Sequence, residues 1–377
     1  MQALVPKERA EGETRVAATP ETVAKLSEKG LAVAVERGAG AGAFISDEAY
    51  ADAGARLVDD VRSALPETDL LLKVRVPLPE ELAGLREGAV VCGFLAPHKN
   101  LDVVRTLRDR KITAIAMELV PRITRAQKMD ALSSQASIGG YKAVLVAANH
   151  LPKYFPLLMT AAGTVKPARV VIMGAGVAGL QAIATARRLG AVVEVSDIRA
   201  EVKEQVESLG AKFIDLPEMQ ESSAETGGYA KEITPEFLAK QQAIVAEHVR
   251  HADVVITTAL VPGRPAPKLL TRAMVESMRP GSVIVDMAVE AGGNCEVSEY
   301  GKTIVHEGVT IVGHPNLPAT LPADASMLYA RNVQELVFEL LDEGQLRIDL
   351  ENDILTAAVL THQGEVRHGP TREALES

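Results

Sequence analysis

Three glycines at fixed spacing carry the strongest chemical signal in the sequence. Gly174-Ala175-Gly176-Val177-Ala178-Gly179 reads G-x-G-x-x-G and follows directly on the apolar run Arg169-Val170-Val171-Ile172-Met173. Each glycine has its own reason: the first permits a tight turn, the second lets backbone approach a pyrophosphate, and the third lets a helix pack closely on the strand. The helix that this turn opens, reaching about Leu189, offers unpaired N–H groups and its positive dipole end to an anion. Asp197 closes the next apolar run, where an acid meets the hydroxyls of an adenosine ribose. Strand, turn, helix and acid in this order predict a dinucleotide site. Its members are Gly174, Ala175, Gly176, Val177, Gly179, Asp197, Ile198 and Arg199, with Ala259 and Leu260 beyond the later strand Val254–Thr257. A carboxylate at Asp197 repels a 2′-phosphate, so the expected cofactor is NAD(H), bound at least roughly a hundredfold tighter than NADPH. Arg199 pulls the other way, since arginine binds phosphate; the competing reading is a solvated residue of a helix's first turn.

The elements that must position these residues follow from apolar runs spaced by amphipathic stretches. Strands are expected at residues 31–35, 70–74, 89–95 and 112–116, then at 169–173, 192–195, 254–257 and 283–286. Thr19-Pro20 marks a helix start and Gly30 its end. A helix over residues 125–148, weakened at Gly139-Gly140, crosses into the second half, and one over 326–341 returns the chain. Strands alternating with helices mean parallel sheets covered on both faces. The fold class is therefore α/β, with two Rossmann-like, doubly wound parallel-sheet domains joined by long helices. The expected domains are residues 1–130 completed by 325–377, and residues 131–324. Residues 217–234 are polar, aperiodic and hold Gly227-Gly228, which predicts a long mobile loop.

Other charged residues carry weaker signals. Arg15 and Lys73 could bind a substrate carboxylate, but a lysine within a strand usually lies on the solvated face. His98 lies beyond a strand end, where sites in open sheets gather, yet a loop histidine is more often merely exposed. The stretch Arg122-Ile123-Thr124-Arg125-Ala126-Gln127-Lys128-Met129-Asp130-Ala131-Leu132-Ser133 combines cations, an amide, an acid and hydroxyls. Such a set can hold a carboxamide and a ribose. On local physics alone it reads as a capped, solvated helix start.

Bulk properties exclude several classes. A chain of 377 residues with formal net charge -10 does not offer a nucleic-acid surface. Cys92 and Cys295 are far apart and outside any C-x-x-C, which suits a reducing cytoplasm. The histidines are scattered, none pairs with a cysteine at ligand spacing, and no metal is expected. No G-x-S-x-G supports serine hydrolysis. The first residues lack the apolar core of a signal peptide, and no apolar run spans a bilayer, so a membrane role would have to come through a partner.

Val5-Pro6-Lys7-Glu8 with Glu13-Thr14-Arg15-Val16-Ala17 and Thr19-Pro20 resembles the family shared by alanine dehydrogenase and the NAD(H)-binding component of nicotinamide nucleotide transhydrogenase. The resemblance covers nearly the whole chain, through Leu71-Leu72-Lys73-Val74 and Val283-Ile284-Val285-Asp286-Met287-Ala288. Pro121 to Gln135 is similar to the arginine–glutamine–aspartate loop of the transhydrogenase branch, which implies that Arg122, Ile123, Thr124, Arg125, Gln127, Asp130 and Ser133 hold the nicotinamide and its ribose. Gln127, Arg122, Asp130 and Ser133 would then stand at the reacting ring. Glu225 to Lys231 resembles that branch's loop closing over NAD(H), with Gly228 and Tyr229 at its tip. Gly293-Asn294-Cys295-Glu296 and His314-Pro315-Asn316-Leu317-Pro318 fit the same branch. Alanine dehydrogenases carry a catalytic histidine where this chain has Leu95 or Ala96, with His98 too late, and an aspartate near Glu290. The resemblance implies direct hydride transfer from NADH to NADP⁺, with NADP(H) held on a partner subunit and the reaction coupled to proton translocation. It also implies a homodimer in the cytoplasm, peripheral to the inner membrane through membrane-embedded partner subunits. An alanine dehydrogenase-like activity, with Arg15 and Lys73 binding substrate, is the alternative.

Overall fold

The computed structural model describes residues 1–216, 235–260, 263–342 and 345–376. The chain divides into two compact units, Met1–Gln135 with Pro318–Ser377, and Ala136–Leu317.

The first unit is built on an eight-stranded sheet. Its strands are β1 (Gln2–Val5), β2 (Ala32–Glu36), β3 (Arg56–Val58), β4 (Leu70–Leu72), β5 (Val90–Gly93), β6 (Thr113–Ala116) and, from the far end of the chain, β18 (Val359–His362) and β19 (Glu365–Val366). The order across the sheet is β3-β2-β1-β4-β5-β6-β18-β19. Pairing is parallel from β3 to β6 and antiparallel at β18 and β19. Alternation along each strand fills two cores. Ala3, Val5, Leu70, Leu72, Val90 and Cys92 point to one face, and Leu4, Leu71 and Val91 to the other. A sheet buried on both faces needs apolar residues at nearly every position, as these runs have. The helix Pro322–Leu340 lies in this unit and supplies Tyr329, Val333, Leu336 and Val337 to the first face. Proline at its start, where no backbone N–H is required, moves the helix four residues ahead of the apolar periodicity that marks it in the sequence. A small hairpin, β16 (Leu341–Asp342) with β17 (Gln345–Leu346), follows it.

The second unit carries a small hairpin, β7 (Leu158–Thr160) and β8 (Gly163–Val165), ahead of its main sheet. That sheet comprises β9 (Arg169–Met173), β10 (Val192–Ser196), β11 (Lys212–Phe213), β12 (Val254–Thr257), β13 (Val283–Asp286), β14 (Thr303–His306) and β15 (Val309–Val312). The order is β11-β10-β9-β12-β13-β15-β14, parallel except where β14 meets β15. Val170 and Ile172 face one core, Val171 and Met173 the other.

Both main sheets share one topology. Counting strands within each, the order begins 3-2-1-4-5, the doubly wound arrangement whose chain path reverses between the first and fourth strands. The reversal lies between β1 and β4 in the first unit and between β9 and β12 in the second. Ligand sites of such sheets gather beyond the carboxyl ends of those two strands.

The unit boundary falls inside the helix Ala131–His150. The sequence predicts one helix from 125 and a weak point at Gly139-Gly140. Instead, Thr124–Met129 forms a 3-10 turn, and the helix begins only after Asp130 and runs through both glycines. A Cβ at Gly140 would lie 2.1 Å from the carbonyl oxygen of Ala178, so glycine here lets two backbones touch. Among the described residues, no helix is long and apolar enough to cross a membrane. The predicted loop at 217–234 lies outside the described residues.

Candidate nucleotide-binding site

In the second unit, each glycine of the turn meets the demand its spacing predicts. Gly174 follows β9 with φ +105°, a left-handed conformation that side chains rarely adopt, and a Cβ there would lie 2.5 Å from Thr258 Oγ1. At Gly176 a Cβ would meet nothing within 4 Å, leaving space for a ligand to approach the main chain. At Gly179 it would lie 1.9 Å from the carbonyl oxygen of Gly174, so only glycine lets the helix start this close to the strand. Gly176 caps the helix Val177–Arg188, whose first N–H groups therefore face the same open side. A cradle of this shape fits a pyrophosphate.

Asp197 stands beyond β10 and is bound to the turn itself. Its Oδ2 accepts from the Ala175 N–H at 2.7 Å and its Oδ1 from the Arg199 N–H at 2.9 Å. The Arg199 guanidinium completes the set, donating through Nε at 3.0 Å and Nη2 at 2.9 Å. Burial pushes the Asp197 carboxyl up, but the hydrogen bonds from Arg199 and Ala175 outweigh it and hold it below the usual carboxylate value. Arg199 is half-exposed at its side chain yet bound to Asp197, so it is not the freely solvated residue of the competing reading. Ile198, by contrast, is 85% exposed. Val177 is also exposed.

Beyond β12, Thr258 Oγ1 donates to the carbonyl oxygens of Met173, at 3.2 Å, and Gly174, at 3.1 Å, tying the two strand ends at the reversal together. Ala259 is fixed by Asn294, which accepts from its N–H at 3.1 Å and donates to its carbonyl oxygen at 2.9 Å. Leu260 remains exposed. Asn294 is fully buried, and its own N–H donates to Asp286 Oδ1 at 3.1 Å. Asp286, at the end of β13, also accepts from Thr257 Oγ1, Ala288 N, Cys295 N and Ser298 Oγ, which folds residues 288–298 around one carboxylate. Thr258, Asp286 and Asn294 carry no site role in the sequence reading. An acid at a strand end, placed as Asp197 is, is the available signal for Asp286.

In the first unit, Arg122, Ile123, Thr124, Arg125 and Gln127 are exposed, while Asp130 and Ser133 are half-buried. Asp130 caps the helix Ala131–His150: Oδ1 accepts from the Ser133 N–H at 2.8 Å and Oδ2 from Ser133 Oγ at 2.6 Å. Arg125 is held by Asp353 and Asn352 from the carboxyl-terminal segment, with Glu339 nearby. Arg122 and Gln127 make no side-chain hydrogen bond or ion pair among the described residues, so both present their polar groups to solvent. Asn332 Nδ2 donates to the carbonyl oxygen of Lys128 at 2.7 Å and holds the turn on the helix Pro322–Leu340. Gly228 and Tyr229 lie outside the described residues.

The reversal of the first sheet is occupied by charge. Lys73, directly after β4, is 1% exposed, which corrects the expectation of a solvated strand lysine. Its Nζ lies 3.1 Å from Glu81 and 3.3 Å from Glu8. Glu8 also accepts from the Val74 N–H at 2.6 Å, and burial pushes its carboxyl above the usual range. Arg15 is clamped by Glu13 through Nε at 2.8 Å and Nη2 at 2.7 Å, while its Nη1 donates to Gln135 at 2.8 Å. Burial pushes the Glu13 carboxyl up, but Arg15 and then Arg75 outweigh it and hold it at about 2. The loop after β5 places Leu95 and Ala96 against Glu118, which accepts from both N–H groups, and leaves His98 exposed. Among the described residues no group of three or more His, Cys, Asp or Glu could hold a metal.

Comparison with known proteins bears on the whole chain. Residues 4–139 match the N-terminal domain of alanine dehydrogenase/PNT, and residues 143–369 match its C-terminal domain. The first of the pieces into which NAD(P) transhydrogenase subunit alpha of Rhodospirillum rubrum is divided is 50% identical over 376 residues, covering 98% of each chain. The solved structure of a transhydrogenase from Sinorhizobium meliloti is 47% identical, with TM-score 0.89 over 97% of this chain and 100% of that one. An L-alanine dehydrogenase structure is 30% identical, with TM-score 0.83 over 100% of this chain and 99% of that one. By both of its domains and along nearly its whole length, the chain belongs to the alanine dehydrogenase/PNT family.

Proposed function

We propose that this chain is the NAD(H)-binding subunit of a proton-translocating transhydrogenase, presenting NADH for direct hydride transfer to NADP⁺ held on a partner subunit. The end-to-end similarity to a relative named as a transhydrogenase alpha subunit carries the reading. The glycine turn and Asp197 support its nucleotide half.

In this reading Gly174, Ala175, Gly176, Val177 and Gly179 hold the pyrophosphate, while Asp197, Ile198 and Arg199 edge the adenosine ribose, with Ala259 and Leu260 beside them. Arg122, Ile123, Thr124, Arg125, Gln127, Asp130 and Ser133 serve the nicotinamide and its ribose, and Gly228 and Tyr229 cover the nucleotide. Bound NADH supplies the hydride. The chain's own groups bind, orient and exclude water, because transfer between two nicotinamides needs no protein acid or base at the reacting carbons. The free amide of Gln127 and the aligned hydroxyl of Ser133 suit that task. NADP(H) and the proton path then belong to membrane-embedded partner subunits, to which a homodimer of this chain attaches from the cytoplasm.

The alanine dehydrogenase branch gives the competing activity. Against it, the donors of Arg15 and Lys73 are engaged by Glu13, Gln135, Glu8 and Glu81, and Glu290 stands near where that branch has an aspartate. The test is stopped-flow transfer from NADH to an NADP⁺ analogue. The chain mixed with its membrane partner subunits should transfer hydride, and the chain alone should not. Sustained alanine-dependent NAD⁺ reduction by the pure chain would overturn the reading.

A further inference from the structure

Asp197 has all of its acceptor capacity in use. A carboxylate offers about four lone-pair positions. Two are taken by main-chain donors, Ala175 N and Arg199 N, which cannot leave unless the glycine turn itself moves. The other two are taken by Nε and Nη2 of Arg199, on a side chain that is 48% exposed and free to swing into water. A ribose diol brings two O–H donors and therefore needs the two positions that the guanidinium fills. The cation it displaces stays close, because the Arg199 main chain remains fixed to the same carboxylate.

We propose that Arg199 sets how strictly this chain refuses a 2′-phosphorylated dinucleotide: it competes with the ribose diol for Asp197, and on release offers a guanidinium to a 2′-phosphate. The proposal rests on the dinucleotide reading of the second unit and assigns a specificity role within it. Its physical basis is that a planar guanidinium matches carboxylate and phosphate equally well, so one arginine can serve either partner. An unpaired aspartate would give sharp discrimination. An aspartate neutralised by a movable arginine gives a softer one, and the two residues must act as a coupled pair rather than additively.

The experiment measures dissociation constants for NADH and NADPH on the full chain by nucleotide fluorescence, for wild type, Arg199→Ala, Asp197→Asn and the double variant. In Arg199→Ala the ratio of the NADPH to the NADH constant should rise at least about tenfold, because the carboxylate is left without its counter-charge and the phosphate without its cation. In Asp197→Asn the two constants should come within about threefold of each other, and adding Arg199→Ala should then weaken NADPH binding at least about tenfold. Arg199→Lys keeps the charge but loses the fork, and should fall between wild type and Arg199→Ala. A ratio in Arg199→Ala within about twofold of wild type, with NADH bound normally, overturns the role of Arg199 alone. Failure of the wild-type chain to bind either nucleotide overturns the dinucleotide reading and this proposal with it.

Discussion

The two sheets reverse direction at the same topological position and treat it in opposite ways. Beyond β9 and β12 the chain places Gly174, Gly176 and Thr258, small residues whose backbone leaves an open surface at Gly176. Beyond β1 and β4 it places Glu8 and Lys73, which meet each other and Glu81 with almost no exposure. In one unit the position that could take a ligand stays available to one. In the other, internal carboxylates satisfy the cation from within. Topology alone therefore marks where a site can form; the residue types at the strand ends decide whether it is a receptacle or a plug.

The sharpest way to break the comparison is to unbalance the plug. Lys73→Met strands Glu8 and Glu81 as buried carboxylates without a cation and should destabilise the chain by about 3–5 kcal/mol in denaturant unfolding. Replacing Glu8 and Glu81 by glutamine in the same background should recover most of the loss. A loss near zero for Lys73→Met would mean the cluster is not what closes this position.

Gln127 tests the opposite condition, a polar group left without a protein partner. Gln127→Asn keeps the amide and shortens its reach. NADH should bind within about twofold of wild type while transfer in the mixed system slows by about a hundredfold, since small misplacement of reacting groups is costly. Transfer at the wild-type rate would return the segment to a plain helix start.

The open reversal is probed by its glycines. Gly179→Ala must push a methyl against the Gly174 carbonyl and should cost about 1–3 kcal/mol of stability as well as NADH affinity. Gly176→Ala meets no protein atom, so unfolding should change by less than about 0.5 kcal/mol while NADH binds at least about tenfold more weakly. Equal NADH affinity in Gly176→Ala and wild type would mean that no ligand approaches this backbone.

The smallest effect is a pH dependence in the plug. Folding lowers the Glu13 carboxyl from 4.5 to about 2, so its contribution is complete above about pH 4.5 and lost as pH falls through about 2. Acid titration of unfolding should show Glu13→Gln and wild type converging over that interval. A constant gap between them would mean that Glu13 does not titrate as the clamp on Arg15 requires.

Much of the open site is legible in the sequence because its information is local. The glycine spacing and Asp197 sit within one strand–helix–strand stretch, and β9, β12 and β13 begin and end where the apolar runs do. The plug is not legible. Lys73 reads as a solvated strand residue because its carboxylates come from Glu8 and Glu81, and no window around residue 73 contains the first of them. β1 gives no strand signal because Gln2–Val5 is four residues long with no flanking turn, although it is central to its sheet. Gly140 reads as a helix weakness for the same reason: its purpose is the approach of Ala178, which only the folded chain reveals.

The pairing of β18 with β6 bears on how the molecule is made. Ala114 sits opposite Thr361, so the first sheet receives its final strands from residues synthesised some 250 positions after its sixth strand. During translation the second unit, a continuous segment, is complete while β6 still presents an unpaired edge and the core above it lacks Ile354, Leu355 and Val359. An exposed parallel sheet edge is a template for other chains. The unit made first is therefore finished last, and a ribosome-bound chain passes through a stage with its nucleotide-binding half closed and its amino-terminal half still open to mispairing.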